Sequence, residues 1–282
     1  MRRRKREKIE LKSDAQIVKI RKAALIVADI HEALLAAARP GVTTKELDEV
    51  ARGVLRAAGA KSNFHGYYGY PAQTCISVNS TIVHGIPGDE VLQPGDIVSF
   101  DCGAVLDGWH ADACVSLVLP GGDEAKRHAR EQLSAVTNEA MWHGIAAMAT
   151  GRYVADIGAG VEDYIESVPE HDRPSIVEEF IGHGIGTAMH MEPQVYNFRA
   201  RGPKVKLQPG MVLCIEPIIA AGSPANRVLK DGWSVKTKDG SDACHWEHEV
   251  ALHSGGIWVL SARDGGASEL ARFDVTPVPL VQ

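Results

Sequence analysis

Two aspartates flank the sharpest turn signal in the sequence, and their type and spacing suit a metal ion. An Asp-Gly pair at 107–108 stands between two apolar runs, a pattern that strongly predicts a β-hairpin with a two-residue turn. In that register Asp101 lies opposite Cys114. Asp112 lies opposite Gly103, which leaves space beside the acids. Because side chains alternate along a strand, both carboxylates project from one face, roughly 7–8 Å apart at the backbone.

The flanking runs read as buried strands, and two buried carboxylates repel each other unless a proton or a cation compensates them. The hairpin therefore indicates a metal site. The alternative is an edge hairpin with two solvated acids, and the hairpin alone does not decide between these interpretations.

Three further candidate ligands lie in or beside apolar or glycine-rich segments: His183, Glu216 and Glu247. Acids are almost never fully buried without a partner, and the motifs around these residues contain no compensating Lys or Arg. Four acids with one imidazole suit more than one divalent ion, of Mn, Fe(II), Co or Zn. Carboxylates can bridge two ions ~3.5–4 Å apart, which acidify a shared water. The set therefore predicts a dinuclear metal hydrolase.

Two histidines remain outside this ligand count. His84 lies in a loop before Asp101, and His190 lies in the glycine-rich segment after His183. Both could hydrogen-bond a substrate carbonyl or a developing oxyanion. Taken singly, His84 would more often be a loop histidine with a structural hydrogen bond.

The elements that must position these residues have clear local signals. Ser13 with Gln16, and Thr43 with Glu46, form helix-opening capping boxes, and His31 falls on the apolar face of the first helix as an expected core residue. Other predicted helices cover 124–148 and 154–165. Predicted strands cover 74–78, 211–215, 233–237, 246–252 and 257–260.

Part of this pattern occurs twice in the same order. LQPGDIVSFD ends at Asp101, and LQPGMVLCIE ends at Glu216; His-Gly-Ile occurs at 84–86 and at 183–185. A helix pair precedes each set. The repeat predicts an α+β fold of two halves related by a pseudo-twofold axis, each with helices packed on a curved antiparallel sheet.

Composition narrows the class of protein. The 282 residues are 45% hydrophobic with a net charge of −6, and no apolar run approaches the ~20 residues of a membrane span. Residues 1–12 form a basic tail, which could touch an anionic surface such as ribosomal RNA or serve as a disordered solubilising segment. Residues 13–282 then form one catalytic domain. Five scattered cysteines, none in a C-x-x-C pair, favour free thiols in the cytoplasm.

The motif set resembles the type I methionine aminopeptidase family over residues 13–260. The matching motifs are GYYGYP at 66–71, CISVN at 75–79, HGIP at 84–87, the aspartate pair, GHGIG with its second histidine at 182–190, EPQV at 192–195, IEP at 215–217 and WSVKTKDGS with the following EH at 233–248. The interval of 31 positions between Glu216 and Glu247 leaves no room for the helical insertion of type II members.

The resemblance implies the pita-bread fold and a cytoplasmic monomer that removes initiator methionine from nascent chains with a small second residue. A metal-bridging water or hydroxide would attack the first peptide bond. Asp101 would bind one ion and His183 with Glu216 the other, while Asp112 and Glu247 would bridge. Glu216 would also shuttle a proton. His84 would orient the substrate's amino end, and His190 would contact the scissile carbonyl.

The methionine pocket of the family maps onto Phe64, Tyr67, Tyr70, Cys75, Met189 and Trp233. Sulfur and aromatic walls suit a flexible thioether, although any one of these residues could be an ordinary core side chain. Two other functions compete: a proline-specific peptidase on the same fold, and a binding module. The first usually has a larger N-terminal domain, and the second typically lacks metal ligands. The sequence indicates neither sequence-specific nucleic-acid binding nor membrane binding.

Overall fold

The computed structural model of the chain describes residues 8–202 and 204–280. The helices are α1 (Asp14–Ala37), α2 (Thr44–Ala57), α3 (Glu124–Thr150), α4 (Ala155–Ser167) and α5 (Ala267–Leu270), with 3-10 turns at Tyr67–Gly69 and Ala271–Phe273. The strands are β1 (Lys61–Ser62), β2 (Thr74–Val78), β3 (Thr81–Val83), β4 (Ile97–Leu106), β5 (Trp109–Val118), β6 (Ser175–Ile176), β7 (Gly182–Gly184), β8 (Met191–Val195), β9 (Met211–Ile215), β10 (Ile218–Ala220), β11 (Asn226–Val228), β12 (Val235–Thr237), β13 (Ala243–His245), β14 (His248–His253) and β15 (Gly256–Val259). Among the described residues, no helix combines the length and apolar character needed to cross a membrane.

In the first half, α1 and α2 pack against the antiparallel sheet of β1, β4, β2 and β5. Both helices begin at the predicted capping boxes, on Ser13 and Thr43. Ile20, Ile30 and Leu34 of α1 are fully buried in this core. His31 is only 6% exposed, so its prediction as a core residue is confirmed.

In the second half, α3 and α4 pack against a five-stranded antiparallel sheet in the order β15-β14-β9-β7-β8. Asp123 caps α3 by accepting a hydrogen bond from the backbone N–H of Lys126. Ile145 and Ile157 from the helices meet Leu213 from β9 in a fully buried cluster. The predicted α+β architecture, a helix pair on an antiparallel sheet in each half, is confirmed. The described strands form four sheets, because two further three-stranded sheets have the orders β13-β10-β6 and β11-β12-β3.

The hairpin register is confirmed residue by residue. Leu106 pairs with Trp109, Asp101 with Cys114 and Gly103 with Asp112. Both turn residues, at 107 and 108, have positive φ, as a two-residue turn of this type requires.

The segment before α1 lies against the body rather than apart from it. The backbone N–H of Lys12 donates to the carbonyl of Gly210 at 2.7 Å, and Lys12 is 5% exposed. The hydroxyl of Thr187 donates to Glu10, and Ile9 packs on the second core. We therefore propose that the body begins at Ile9 rather than Ser13, because these contacts bury residues that the sequence pattern assigns to the tail. Residues 1–7 of that tail lie outside the described residues.

Candidate metal centre and substrate cavity

The two aspartates of the hairpin lie on a buried face, and each has a carboxylate oxygen without a hydrogen bond in the described residues. Asp112 is 4% exposed, and one carboxylate oxygen, Oδ1, of each aspartate is buried without a hydrogen-bond partner among the described residues. Burial raises the pKa of both carboxyl groups well above the usual range, and Glu247 adds to the effect. The space beside Gly103 is filled by Asn63, whose amide nitrogen donates to the carbonyl of Ala111.

The second half contributes the remaining three candidates. His183 lies on β7, Glu216 directly follows β9, and Glu247 directly precedes β14. The Nε2 atom of His183 lies 3.5 Å from Oε1 of Glu216. The Nδ1–H of His183 donates to the carbonyl of Gly184 at 3.0 Å. This bond directs the lone pair of Nε2 toward the acids, which is the tautomer that a metal ligand needs.

Three of the four acids and the imidazole fall into two overlapping groups, and Glu216 belongs to neither. Ligand atoms of Asp101, Asp112 and Glu247 lie within 4.8 Å of one another, and so do atoms of His183, Cys214 and Glu247. Glu247 belongs to both groups and is 2% exposed. Cys214 was not among the ligands predicted from the sequence, and it shares a strand face with Glu216 two positions later.

The donor set fits divalent cations. In the part of the chain that the structure describes, the ion-pair partners of these four acids are histidines and not Lys or Arg. Burial raises the pKa of Glu216 well above its usual range and that of Glu247 to about 7. Burial also lowers the pKa of His183 to about 3, so its ring is neutral at neutral pH. Such a cluster repels itself, and bound cations would remove both the repulsion and the unsatisfied oxygens.

The structure brings a further histidine to the same place, which the sequence analysis did not identify. His245 is 3% exposed, and its Nε2 lies 3.8 Å from Oε2 of Glu216 and 3.9 Å from Oε2 of Glu247. The signal in the sequence was its position two residues before Glu247, because residues two apart on an extended segment share a face.

The two other predicted histidines, His84 and His190, line the same cavity as the acids. His84 has a φ of 57° and meets Phe180 and Trp233 edge-on, with ring centroids 5.7 and 6.2 Å apart. Burial lowers the pKa of His84 to about 4. The ring of His190 lies 4.4 Å from that of His183, and its Nδ1 is 2.9 Å from the hydroxyl of Tyr67. His190 remains exposed toward the cavity mouth.

One cavity of about 460 Å³ opens onto the acids and the three histidines His84, His190 and His245. All six residues predicted for the methionine pocket line it: Phe64, Tyr67, Tyr70, Cys75, Met189 and Trp233. They also form one apolar cluster, with the rings of Tyr70 and Trp233 at 5.1 Å. The cavity is therefore apolar at one end and carries acids and imidazoles at the other, which suits a small substrate with an apolar side chain next to a reacting polar group. Phe180 and Tyr68 line it as well and were not predicted.

Known proteins share both the sequence pattern and the fold. The model of metallopeptidase family M24 matches residues 18–254. Methionine aminopeptidase 1 of Mycobacterium tuberculosis is 45% identical over 242 residues, which are 85% of this chain and 90% of that protein. Methionine aminopeptidase 1 of Bacillus subtilis is 37% identical, over 86% of this chain and 94% of its own.

Solved structures of methionine aminopeptidase and of prolidase are similar to this chain in fold. Methionine aminopeptidase from Thermotoga maritima superposes with a TM-score of 0.84 at 32% identity, covering 91% of this chain and 100% of that one. Prolidase from Pyrococcus furiosus reaches 0.68 at 20% identity, with 89% of this chain and 65% of that one covered, which shows the shared fold alone.

Proposed function

The chain belongs to metallopeptidase family M24, and from that premise we propose that it is a methionine aminopeptidase that removes the initiator methionine from nascent chains with a small second residue. The observation that carries the proposal is the joining of four acids and an imidazole to an apolar pocket lined with sulfur and aromatic rings. Its relatives at 35–45% identity bear the same name.

Five residues would hold two divalent ions. Asp101 would bind one ion, His183 and Glu216 the other, and Asp112 and Glu247 both. The position of Glu247 in both ligand groups supports a bridging role. When bound, such ions supply a water of lowered pKa and positive charge beside the scissile carbonyl.

The protein's own groups orient the peptide. The thioether of methionine packs between Cys75, Met189 and the aromatic rings, since a flexible polarizable chain fills an irregular apolar slot. His84 holds the amino end of the substrate. His190, oriented by Tyr67, donates a hydrogen bond to the scissile carbonyl oxygen and stabilises the charge that develops there. Glu216 accepts a proton from the attacking water and passes it to the departing amine.

Cleavage of matched peptides tests this function. We expect the enzyme loaded with Mn or Co to release methionine from Met-Ala-Ser and to leave both N-acetylated Met-Ala-Ser and an X-Pro peptide intact. Cleavage of the X-Pro peptide alone would replace the proposal with a proline-specific peptidase. Absence of cleavage with every metal tried would favour a binding module, although the presence of all five candidate ligands argues against it.

We also propose that the ions are divalent and number two per chain, that the protein is a cytoplasmic monomer, and that its basic tail contacts the ribosome. Metal analysis of protein purified without chelator would identify the ions among Co, Mn, Fe(II) and Zn and count them per chain. The five cysteines are buried and free in the described residues, which supports a reducing cytoplasm. Sedimentation with ribosomes, with and without residues 1–7, would test the contact through the basic tail. Sedimentation of the protein alone would test the monomer.

A further inference from the structure

The backbone around His245 is held from both halves of the molecule. His245 ends β13 and pairs with Ile218 of β10. Its N–H donates to the hydroxyl of Ser99 on β4, and its carbonyl accepts a bond of 2.8 Å from the hydroxyl of Ser116 on β5. A side chain on a segment anchored in this way has little freedom to turn away from the acids.

The side chain points into the gap between two glutamates. Its Nε2 is buried and lacks a hydrogen-bond partner among the described residues, while one oxygen of Glu216 and one of Glu247 lie 3.8 and 3.9 Å away. Because both neighbours are acceptors, a nitrogen between them is favourable only when it carries a proton and donates.

The two carboxylate oxygens of each glutamate therefore have different neighbours. On Glu216, Oε1 faces His183 and Oε2 faces His245. On Glu247, Oε2 faces His245, and Oε1 is buried without a partner in the part of the chain described. His245 therefore lies beside the Oε2 atoms and leaves the Oε1 atoms for cations.

We propose that His245 is a positioning residue whose Nε2–H donates to the Oε2 atoms of Glu216 and Glu247, fixing which oxygens bind metal. The proposal rests on the proposed function for the presence of the ions. Carboxylates that bind metals are usually held by hydrogen bonds from outside the coordination sphere, and loss of such a partner typically costs ~10–100-fold in metal affinity. Direct coordination by Nε2 is the competing arrangement, and the test separates the two.

Two substitutions test the donor. His245→Gln keeps an N–H of similar reach, whereas His245→Leu removes it and keeps an apolar volume. His31→Leu is the matched control, because His31 is a similarly buried histidine on α1 that forms no ion pair with the four acids among the described residues. Calorimetric titration of the chelator-treated, metal-free proteins with Mn²⁺ gives the affinity. Thermal melting shows that each variant folds, and pulsed EPR of bound Mn²⁺ counts the coordinated nitrogens.

We expect the Leu variant to lose ~10–100-fold in Mn²⁺ affinity, while the Gln variant and the control stay close to the wild type. The nitrogen coupling should remain that of one imidazole throughout. Wild-type affinity in the Leu variant would overturn the proposal. So would a Gln variant that binds as weakly as the Leu variant and loses a nitrogen coupling, since Nε2 would then be a ligand. These readouts need no turnover, so a protein that binds Mn²⁺ but cleaves nothing would contradict the proposed function alone.

Discussion

Glu247 and Cys114 exchange backbone hydrogen bonds in both directions, at 2.9 Å from the N–H of Glu247 and 3.2 Å from that of Cys114. Cys114 lies directly opposite Asp101 on the hairpin, so this short bridge ties a ligand of the second half to the strand pair that carries both aspartates. The distance between the acids is therefore set by backbone rather than by flexible side chains.

The first prediction concerns the proposed bridging acids. We expect Asp112→Asn and Glu247→Gln each to lower the bound metal per chain, and to reduce kcat/KM by more than the ~10–100-fold that outer-shell changes cost, because each should serve both ions. Elemental analysis and peptide kinetics measure this. Glu179→Gln, at an exposed acid that also lines the cavity, is the control and should remain near wild type. Full metal content and full turnover in either bridging variant would refute the assignment.

The second prediction separates a carbonyl contact from a metal ligand. We expect His190→Ala to retain its metal and to lose roughly 10²–10³-fold in kcat, since a donor to the developing oxyanion is removed. Tyr67→Phe removes only the hydroxyl 2.9 Å from Nδ1 and should cause a smaller loss in kcat. Metal content and steady-state kinetics on the same samples decide the matter. A His190 variant depleted of metal would make this residue a ligand instead.

The third prediction is a pH dependence of stability. Burial lowers the pKa of His31 from 6.5 to about 4. Above pH 6.5 the ring is neutral in both states and contributes no pH dependence. Between pH 6.5 and about 4 only the unfolded chain binds the proton, so the free energy of unfolding falls as the pH falls. Between pH 7 and 5 the loss should be about 2 kcal/mol.

His31→Leu removes this contribution, so its unfolding free energy should fall by that much less over the same interval in denaturant titrations under equal metal conditions. His128, whose side chain is largely exposed on α3, provides the control substitution His128→Gln, which should follow the wild type. Identical pH dependence in wild type and His31→Leu would show that the buried ring does not govern this part of the acid response.

The fourth prediction concerns the start of the body. Thr187, whose hydroxyl donates a hydrogen bond to Glu10, lies between His183 and His190 in the chain. A chain starting at Lys8 should keep its melting temperature and its turnover of Met-Ala-Ser. A chain starting at Ser13 should lose about 1–3 kcal/mol of stability, because it lacks the bonds to Thr187 and Gly210, and its kcat/KM should fall. Equal stability of the two truncated chains would return the boundary to Ser13.

Local signals explain what the sequence predicted well. The capping boxes at Ser13 and Thr43 and the hairpin register depend on residues close in the chain, so their chemistry determines the structure nearby. The grouping of Asp101 with Glu216 was accessible because each ends a similar turn-and-strand segment, and two related halves must present equivalent positions to one centre.

Contacts between segments distant in the chain could not be predicted from such local signals. Nothing near Asn63 indicates that its amide fills the space beside Gly103, because that contact joins the residue after β1 to both strands of the hairpin. His245 lies two positions before Glu247, but only the contacts of β13 with both halves show that its ring reaches the acids. The packing of Lys12 on Gly210 likewise requires the completed second sheet.

The close packing of Gly85 on β2 fixes the distance between two parts of the proposed substrate site. A side chain at Gly85 would meet the carbonyl oxygen of Ile76 at 2.2 Å, and the carbonyl of Gly85 accepts the N–H of Ile76. His84 is thus fastened, one residue away, to the strand on which Cys75 lines the pocket. In the proposed reaction this rigid backbone sets the distance between the pocket for the methionine side chain and the site for the substrate's amino terminus. A peptide extended by even one residue ahead of its methionine could not place its methionine side chain in the pocket and its amino terminus at His84 at once.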